Sequence, residues 1–344
     1  MRKNERKHDV RKTATNLDDL FETFFAIKKA EGRAPNTLKQ YRDNYTYFTE
    51  YLDKCGIPRS INEITRDTIR GYIRFMQDEW IKYDGHKFKT ESYQTAGLSP
   101  STINTRLKTL RVLFRCLLEE GLIDENLTVG VRNVPERQEK IVILTAEELK
   151  RLLNVPNKKR FADFRDYVLM NLLIDGMMRI SEAINLKKDD FDYKNQTVTI
   201  RAAIAKNRKS RTIPLEHRTA RLIRELINEN ETDFDSEYIF LTNYGERISR
   251  DHFRKRLNEF AERAGIKKNV HPHLFRHTAA TMFLENGGDL RHLQMLLGHA
   301  DLRIVMRYTH LSTAALKKQH DQYSPIKQVL STHTLPRKAK RNKK

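Results

Sequence analysis

The sequence predicts a mainly α protein with a small β-sheet, arranged as an all-helical domain followed by a mixed, mainly helical one. Three observations predict this. Apolar residues recur at helical spacing through residues 16–128 with no convincing strand. Alternation of apolar and polar residues is confined to short runs in the second half. Between the halves, VGVRNVPERQEKIV at 129–142 has no helical period and several charges, and reads as a linker. With 344 residues, the chain is long enough for two ordinary domains and a sizeable core in each.

The first helix is NLDDLFETFFAIKKAEG, where Leu17, Leu20, Phe21, Phe24 and Phe25 form the apolar stripe and Gly32 ends it. A second starts near Pro35, proline being suited to an early helical position, with Leu38, Tyr41, Tyr45, Phe48 and Tyr51 on one side. A third covers about Thr65 to Gln77. The polar, basic stretch from Tyr83 to Gly97 is long for a loop in a compact domain. After it Ser99 caps and Pro100 opens a helix whose Ile103, Leu107, Leu110 and Phe114 face a core, while Arg106, Lys108, Arg111 and Arg115 are expected on the opposite face. The second domain begins at LTAEELKRLL, where Thr145 and Glu148 form a capping box. QTVTIRAAI and SRTIPL, separated by a basic turn, predict a β-hairpin, and YIFL at 238–241 a further strand. The remainder returns to helices.

Lys and Arg total 65 against 45 acidic residues, a net charge of +20, which points to a polyanionic partner. Within basic tails at 1–14 and 326–344, residues 1–12 and 331–344 carry half of that charge, and the rest lies between 13 and 330, on segments that read as folded. No run of about 18 apolar residues occurs, and MRKNERKHDVRK lacks the apolar stretch of a signal peptide, so a cytoplasmic, nucleoid-associated protein with no membrane partner is expected. Cys55 and Cys116 make neither a disulfide framework nor a Cys-rich zinc site. His271, His273 and His277 lack a carboxylate or cysteine at ligand-like spacing, so neither a metal nor any other cofactor is expected. With no nucleotide-binding glycine loop, ATP-driven chemistry has no support.

Four segments of the second domain stand in a telling order: DGMMRISEAINL at 175–186, AKNRKSRTIPL at 205–215, HPHLFRHT at 271–278 and LLGHADLRIVMRYTH at 296–310. Together they resemble the catalytic domain of tyrosine recombinases, the family of lambda-type phage integrases and conjugative-transposon integrases. The helical half resembles that family's core-binding domain through SPSTINTRLKTLRVLFRCLLEEG. The resemblance implies a core-binding domain at 15–128, a catalytic domain at 143–325 and a two-domain clamp around DNA. It places Arg179 at the first catalytic arginine, Glu182 at the supporting acid, and Lys206 at the lysine of the β-hairpin turn. It also places His273 and Arg276 at the His-x-x-Arg pair, His299 at the third-motif histidine and Tyr308 at the nucleophile. Ala205 and Asn207 replace the glycines that commonly flank the lysine, so Lys209 stays open as the alternative general acid.

The chemistry needs these residue types. A phosphodiester repels an incoming oxyanion, so its transfer requires cations on the non-bridging oxygens. The guanidiniums of Arg179 and Arg276 match phosphate geometry and make charge-assisted bonds of roughly 1.5–3 kcal/mol each. Only about one tyrosine in a thousand is ionised at pH 7, so Tyr308 requires a base, the role given to His273. Lys206 would protonate the leaving 5′ oxygen, and His299 would donate to the phosphate. The expected activity is site-specific recombination of double-stranded DNA through a 3′-phosphotyrosine, by a homotetramer, for a mobile element, with accessory DNA-bending or directionality factors as further partners. Lys39, Arg106, Lys108 and Arg111 are the expected DNA contacts of the first domain. The alternatives are a type IB topoisomerase and a non-cleaving DNA-binding regulator on the same fold.

Overall fold

The computed structural model describes residues 15–81, 95–136, 142–298, 301–309 and 313–326. The chain divides into two compact units, Met1–Gln138 and Glu139–Lys344.

The first unit packs helices α1 (Leu17–Ala30), α2 (Pro35–Lys54), α3 (Arg66–Asp78) and α4 (Pro100–Glu119) around one core. Each begins where local chemistry favours it. Asn16 accepts from the Asp18 amide, Pro35 opens α2, Thr65 and Thr68 close a capping box, and Ser99 caps ahead of Pro100. The expected stripes face inward: Leu17, Leu20, Phe21 and Phe24 of α1 meet Tyr45, Phe48 and Tyr51 of α2 and Ile103, Leu107, Leu110 and Phe114 of α4, with Phe25 half-buried at the edge. Part of the expected linker is tied back to α4. Asn104 exchanges two hydrogen bonds of 2.9 Å with the Val134 backbone, and Arg111 donates to Asn133 Oδ1 and Val131 O. Of the long stretch expected at 83–97, only residues 95–97 are among those described.

The second unit is built around α6 (Phe161–Asp175), a helix buried over most of its surface and packed between α8 (His217–Asp233) and α10 (Pro272–Glu285). Ahead of it, α5 (Ala146–Asn154) starts with the expected capping box between Thr145 and Glu148. The short α7 (Ile180–Ala183) follows α6, then a three-stranded antiparallel sheet, β1 (Phe191–Asp192), β2 (Thr197–Ile200) and β3 (Arg211–Pro214). The β2–β3 pairing, with Val198 opposite Ile213 and Ile200 opposite Arg211, is the predicted hairpin. After α8 come α9 (Arg250–Arg263), α10, α11 (Leu290–Leu297), α12 (Leu302–Met306) and α13 (Thr313–Tyr323).

YIFL at 238–241 is not a strand of the sheet. It makes isolated bridges, Lys187 with Tyr238 and Leu241 with Arg247, and buries Ile239, Phe240 and Leu241 in succession. Consecutive burial on both sides of an extended segment removes the alternation that a strand with one solvated face would show. Among the described residues no helix is long and apolar enough to cross a membrane.

Candidate active site

Gly176 ends α6, and Met177 follows in the left-handed region at φ 47°, a conformation costly for a side chain with a Cβ. This turn leaves the Met177 carbonyl accepting from Arg276 Nη1 at 2.6 Å. Arg179 then caps α7, and Glu182, one turn on, reaches back to it: Arg179 N donates to Oε2 at 3.0 Å and Arg179 Nη1 to Oε1 at 3.0 Å. Glu182 has no exposed surface. Burial alone would raise its pKa, but the Arg211 fork and the Arg179 amide outweigh that and hold the carboxyl below its ordinary range.

Helix α10 starts with His271 as its cap, Nδ1 accepting from the Leu274 amide at 3.2 Å, and Pro272 in the first turn. His271 therefore serves the helix terminus. One turn in, the buried Arg276 sends Nη2 to Leu297 O at 2.7 Å, the last carbonyl of α11. Burial first, and the Arg179 charge second, push the Arg276 guanidinium down to about 9, which keeps it protonated at neutral pH. His273, on the exposed side of the same turn, is depressed by desolvation and then by Arg276, His271, Arg179 and Lys206, so it is neutral near pH 7.

Tyr308 lies in the turn after α12, its amide donating to Val305 O at 2.9 Å, and is only 5% exposed, packed with Met177, Leu293, Leu297 and Val305. Its hydroxyl shares a 2.8 Å hydrogen bond with His277 Nδ1. Burial raises the phenol's pKa, while Arg276, Arg307 and Arg179 pull the other way.

The structure thus brings together Arg179, Glu182, Arg276 and Tyr308, with His273 alongside. Lys206 is exposed in the β2–β3 connection, and its charge reaches His273; Lys209, also exposed, donates its amide to Asn207 Oδ1. Asn207 Nδ2 in turn donates to Gly298 O at 3.2 Å, tying the lysine turn to the end of α11. His299 lies outside the described residues. Two residues of the cluster were not singled out as site residues in the sequence. His277 bonds the tyrosine, and Arg211 bonds Glu182 at 2.6 and 3.3 Å. Only the register of β3 carries a signal for Arg211, since it shares the inward face with Ile213.

Three guanidiniums around one buried carboxylate leave a surplus of positive charge, with two neutral imidazoles and a phenol beside it. Such a site can stabilise an anion, with a phenol hydroxyl within the same positive field.

In the first unit the four expected DNA contacts separate. Lys39 and Lys108 are exposed. Arg111 is half-buried and engaged with residues 131 and 133. Arg106 corrects the expectation: it is 6% exposed, with its guanidinium 3.8 Å from the Tyr47 ring centroid and 4.3 Å from that of Trp80, so it is not on a solvated basic face.

Comparison with known proteins gives a family match for each unit. Residues 143–315 match the profile of the phage integrase family, and residues 16–131 that of the phage integrase SAM-like domain. The tyrosine recombinase XerC of Oceanobacillus iheyensis is 30% identical over 314 residues, covering 89% of this chain and 95% of that protein. The tyrosine recombinase XerD of Listeria monocytogenes serovar 1/2a is 28% identical over 315 residues, covering 90% and 99%. Among solved structures, XerH site-specific recombinase bound to palindromic difH substrate superposes with a TM-score of 0.65 at 21% identity, over 87% of this chain and 82% of that one. The Tn1549 transposon integrase in complex with circular intermediate DNA gives 0.66 at 16% identity, over 87% and 98%. A fold of helices with one small sheet, an arginine-rich site around a tyrosine, and family matches along both units lead to one conclusion: the chain belongs to the phage integrase family of tyrosine recombinases.

Proposed function

We propose that the protein breaks and rejoins DNA strands at short specific sites, with Tyr308 attacking the scissile phosphorus. The observation that carries this reading is the Tyr308 hydroxyl placed where the charges of Arg276 and Arg179 act on it, in a cluster whose guanidiniums outnumber its carboxylates. Arg179 and Arg276 neutralise the non-bridging oxygens. The Tyr308 oxygen–phosphorus bond forms as the phosphorus–O5′ bond breaks, leaving a 3′-phosphotyrosine. The phenolic proton passes to a base, for which His273, neutral at pH 7, is suited. Lys206, the turn lysine whose charge reaches that histidine, delivers a proton to the departing 5′ oxygen. Position 299 follows the turn that Arg276 and Asn207 hold, and His299 would donate to the phosphate there. Because the phosphotyrosine keeps the energy of the broken bond, a 5′ hydroxyl from a partner strand reverses the attack without ATP.

The partner is double-stranded DNA. The net charge of +20 supports this, as do relatives named tyrosine recombinases and similar folds solved with DNA. We take the acting unit to be a homotetramer on two paired sites, served by accessory DNA-bending or directionality factors, and the biological role to be integration of a mobile element.

The test is a nicked suicide duplex carrying DNA from the flanks of the gene, incubated with wild type and with Tyr308→Phe and resolved on a denaturing gel. A protease-sensitive covalent adduct with wild type alone is the expected result. Tight binding without an adduct favours a regulator, an adduct on any duplex regardless of sequence favours a topoisomerase, and adducts with both proteins place the nucleophile elsewhere. Cleavage of sites remote from the gene, but not of its flanks, counts against the mobile-element role.

A further inference from the structure

Arg211 holds none of the roles given above, yet it binds three parts of the site's framework. It opens β3, and its side chain is 11% exposed. Nη2 and Nη1 grip the two oxygens of Glu182 at 2.6 and 3.3 Å, and Nε donates to Leu296 O at 3.1 Å in the last turn of α11. The guanidinium also lies against Gly298, where an added Cβ would meet Nη1 at 3.0 Å and Cζ at 3.1 Å. Glu182 uses the same two oxygens for the Arg179 side chain and amide. Arg276 takes the next carbonyl, Leu297 O. Successive carbonyls at one helix end are thus held by two different arginines, one of which also holds the carboxylate that orients a third.

We infer that Arg211 is a positioning residue for strand cleavage: it braces Glu182 against the end of α11, so that Arg179, Arg276 and the turn entering residue 299 keep one mutual geometry. The brace has an electrostatic side. A carboxylate paired with Arg179 alone would cancel its charge, whereas one shared between two guanidiniums leaves a full positive charge for the phosphate. The Arg179 guanidinium spends one nitrogen, Nη1, on this carboxylate, while that of Arg211 spends two. Lysine cannot replace it, because a single ammonium cannot hold two carboxylate oxygens and a carbonyl in fixed directions.

The inference rests on the phosphoryl-transfer reading, and its test separates the two. Full-length wild type, Arg211→Lys, Glu182→Gln and the double variant are compared for DNA affinity, melting, and single-turnover adduct formation on the suicide duplex at saturating protein. Arg211→Lys is expected to bind DNA within about 2-fold of wild type while its cleavage rate falls about 100-fold, the scale of a misplaced reactive geometry. In the Glu182→Gln background the same substitution should change cleavage by no more than about 2-fold, because both changes break one brace. A direct phosphate contact by Arg211 would instead make the two losses multiply, and that overturns the proposal, as does cleavage by Arg211→Lys at the wild-type rate. If Arg211→Lys melts below the assay temperature, near-isosteric Glu182→Gln decides. Unchanged affinity with a comparable loss of cleavage supports the brace, and full cleavage overturns it. Failure of wild type to form any adduct sinks the strand-cleavage reading itself.

Discussion

The imidazole bonded to the Tyr308 hydroxyl is that of His277, at 2.8 Å from Nδ1, whereas the sequence directs attention to His273 as proton acceptor. Both groups are neutral at pH 7: burial holds the phenol's pKa up, and pushes the imidazole down to about 4. A base that weak does not ionise the tyrosine. The bond therefore holds a protonated phenol in place, and in the proposed reaction the hydroxyl would have to leave His277 for the phosphate and a stronger acceptor. Removing the ring nitrogen with His277→Phe leaves a buried hydroxyl unpaired, which costs roughly 1–3 kcal/mol. In a double-mutant cycle with Tyr308→Phe, measured by urea unfolding, the coupling should be about 1 kcal/mol. Additive losses would show that the contact contributes nothing.

His277 also makes stability depend on pH. Its folded pKa, about 4, is depressed by burial first and then by the His273 and Arg307 charges, against about 6.5 in an unfolded chain. Between those values the unfolded state binds more protons, so this contribution is complete above the unfolded pKa and disappears as pH falls toward the folded one. His273 and His271 shift in the same direction and add to it. Glutamine can still accept from Tyr308 but does not titrate. Between pH 7.5 and 5, wild type should lose about 2 kcal/mol more than His277→Gln, measured by chemical denaturation at both pH values. Equal losses would remove His277 as the titrating group.

Gly298 is required twice, by its backbone at φ 63° and by Arg211 packed against it. Asparagine tolerates the left-handed backbone yet carries a Cβ, and alanine meets both obstacles. Gly298→Ala is expected to cost about 1–2 kcal/mol and to slow adduct formation, with Gly298→Asn intermediate in stability. If the two variants melt together, the Arg211 contact rather than the backbone dominates.

How much of this was legible follows from where each residue's signal resides. The helices of the first unit were readable because cap and stripe sit together in one short segment, as at Ser99, Pro100, Ile103 and Leu107. Arg179, Arg276 and Tyr308 were found through local motifs, and the fold brings them together. Their partners were hidden: Met177 O and Leu297 O, which hold Arg276, are 99 and 21 residues away, and no local pattern joins them. Arg211 looks like one more charge in a basic turn until β3 is registered on β2. The capping role of His271 and the tyrosine contact of His277 are equally invisible, since a sequence of histidines does not say which nitrogen faces what. Arg106 misled for a related reason. It borders the stripe of Ile103 and Leu107, and only Tyr47 and Trp80, brought in by other segments, decide that this edge is covered.

Lys39 and Lys108 differ from Arg106 in a way that binding measurements resolve. An exposed lysine that meets a phosphate releases counterions, so its removal lowers the slope of log affinity against log salt by about one and weakens all sequences alike. Lys39→Ala and Lys108→Ala should do this while leaving the melting temperature unchanged, because both side chains are solvated. Arg106→Ala should do the reverse. Its guanidinium lies over the faces of Tyr47 and Trp80, two rings in edge-to-face contact, and its charge bears on the hydroxyl of the buried Tyr72. Its removal forfeits cation–π attraction of about 2 kcal/mol and opens a cavity beside Tyr47 and Trp80. Fluorescence anisotropy across a salt series, paired with thermal melts, gives both readouts. A reduced salt slope for Arg106→Ala at unchanged melting temperature would return that residue to the DNA interface and show that Tyr47 and Trp80 open to release it.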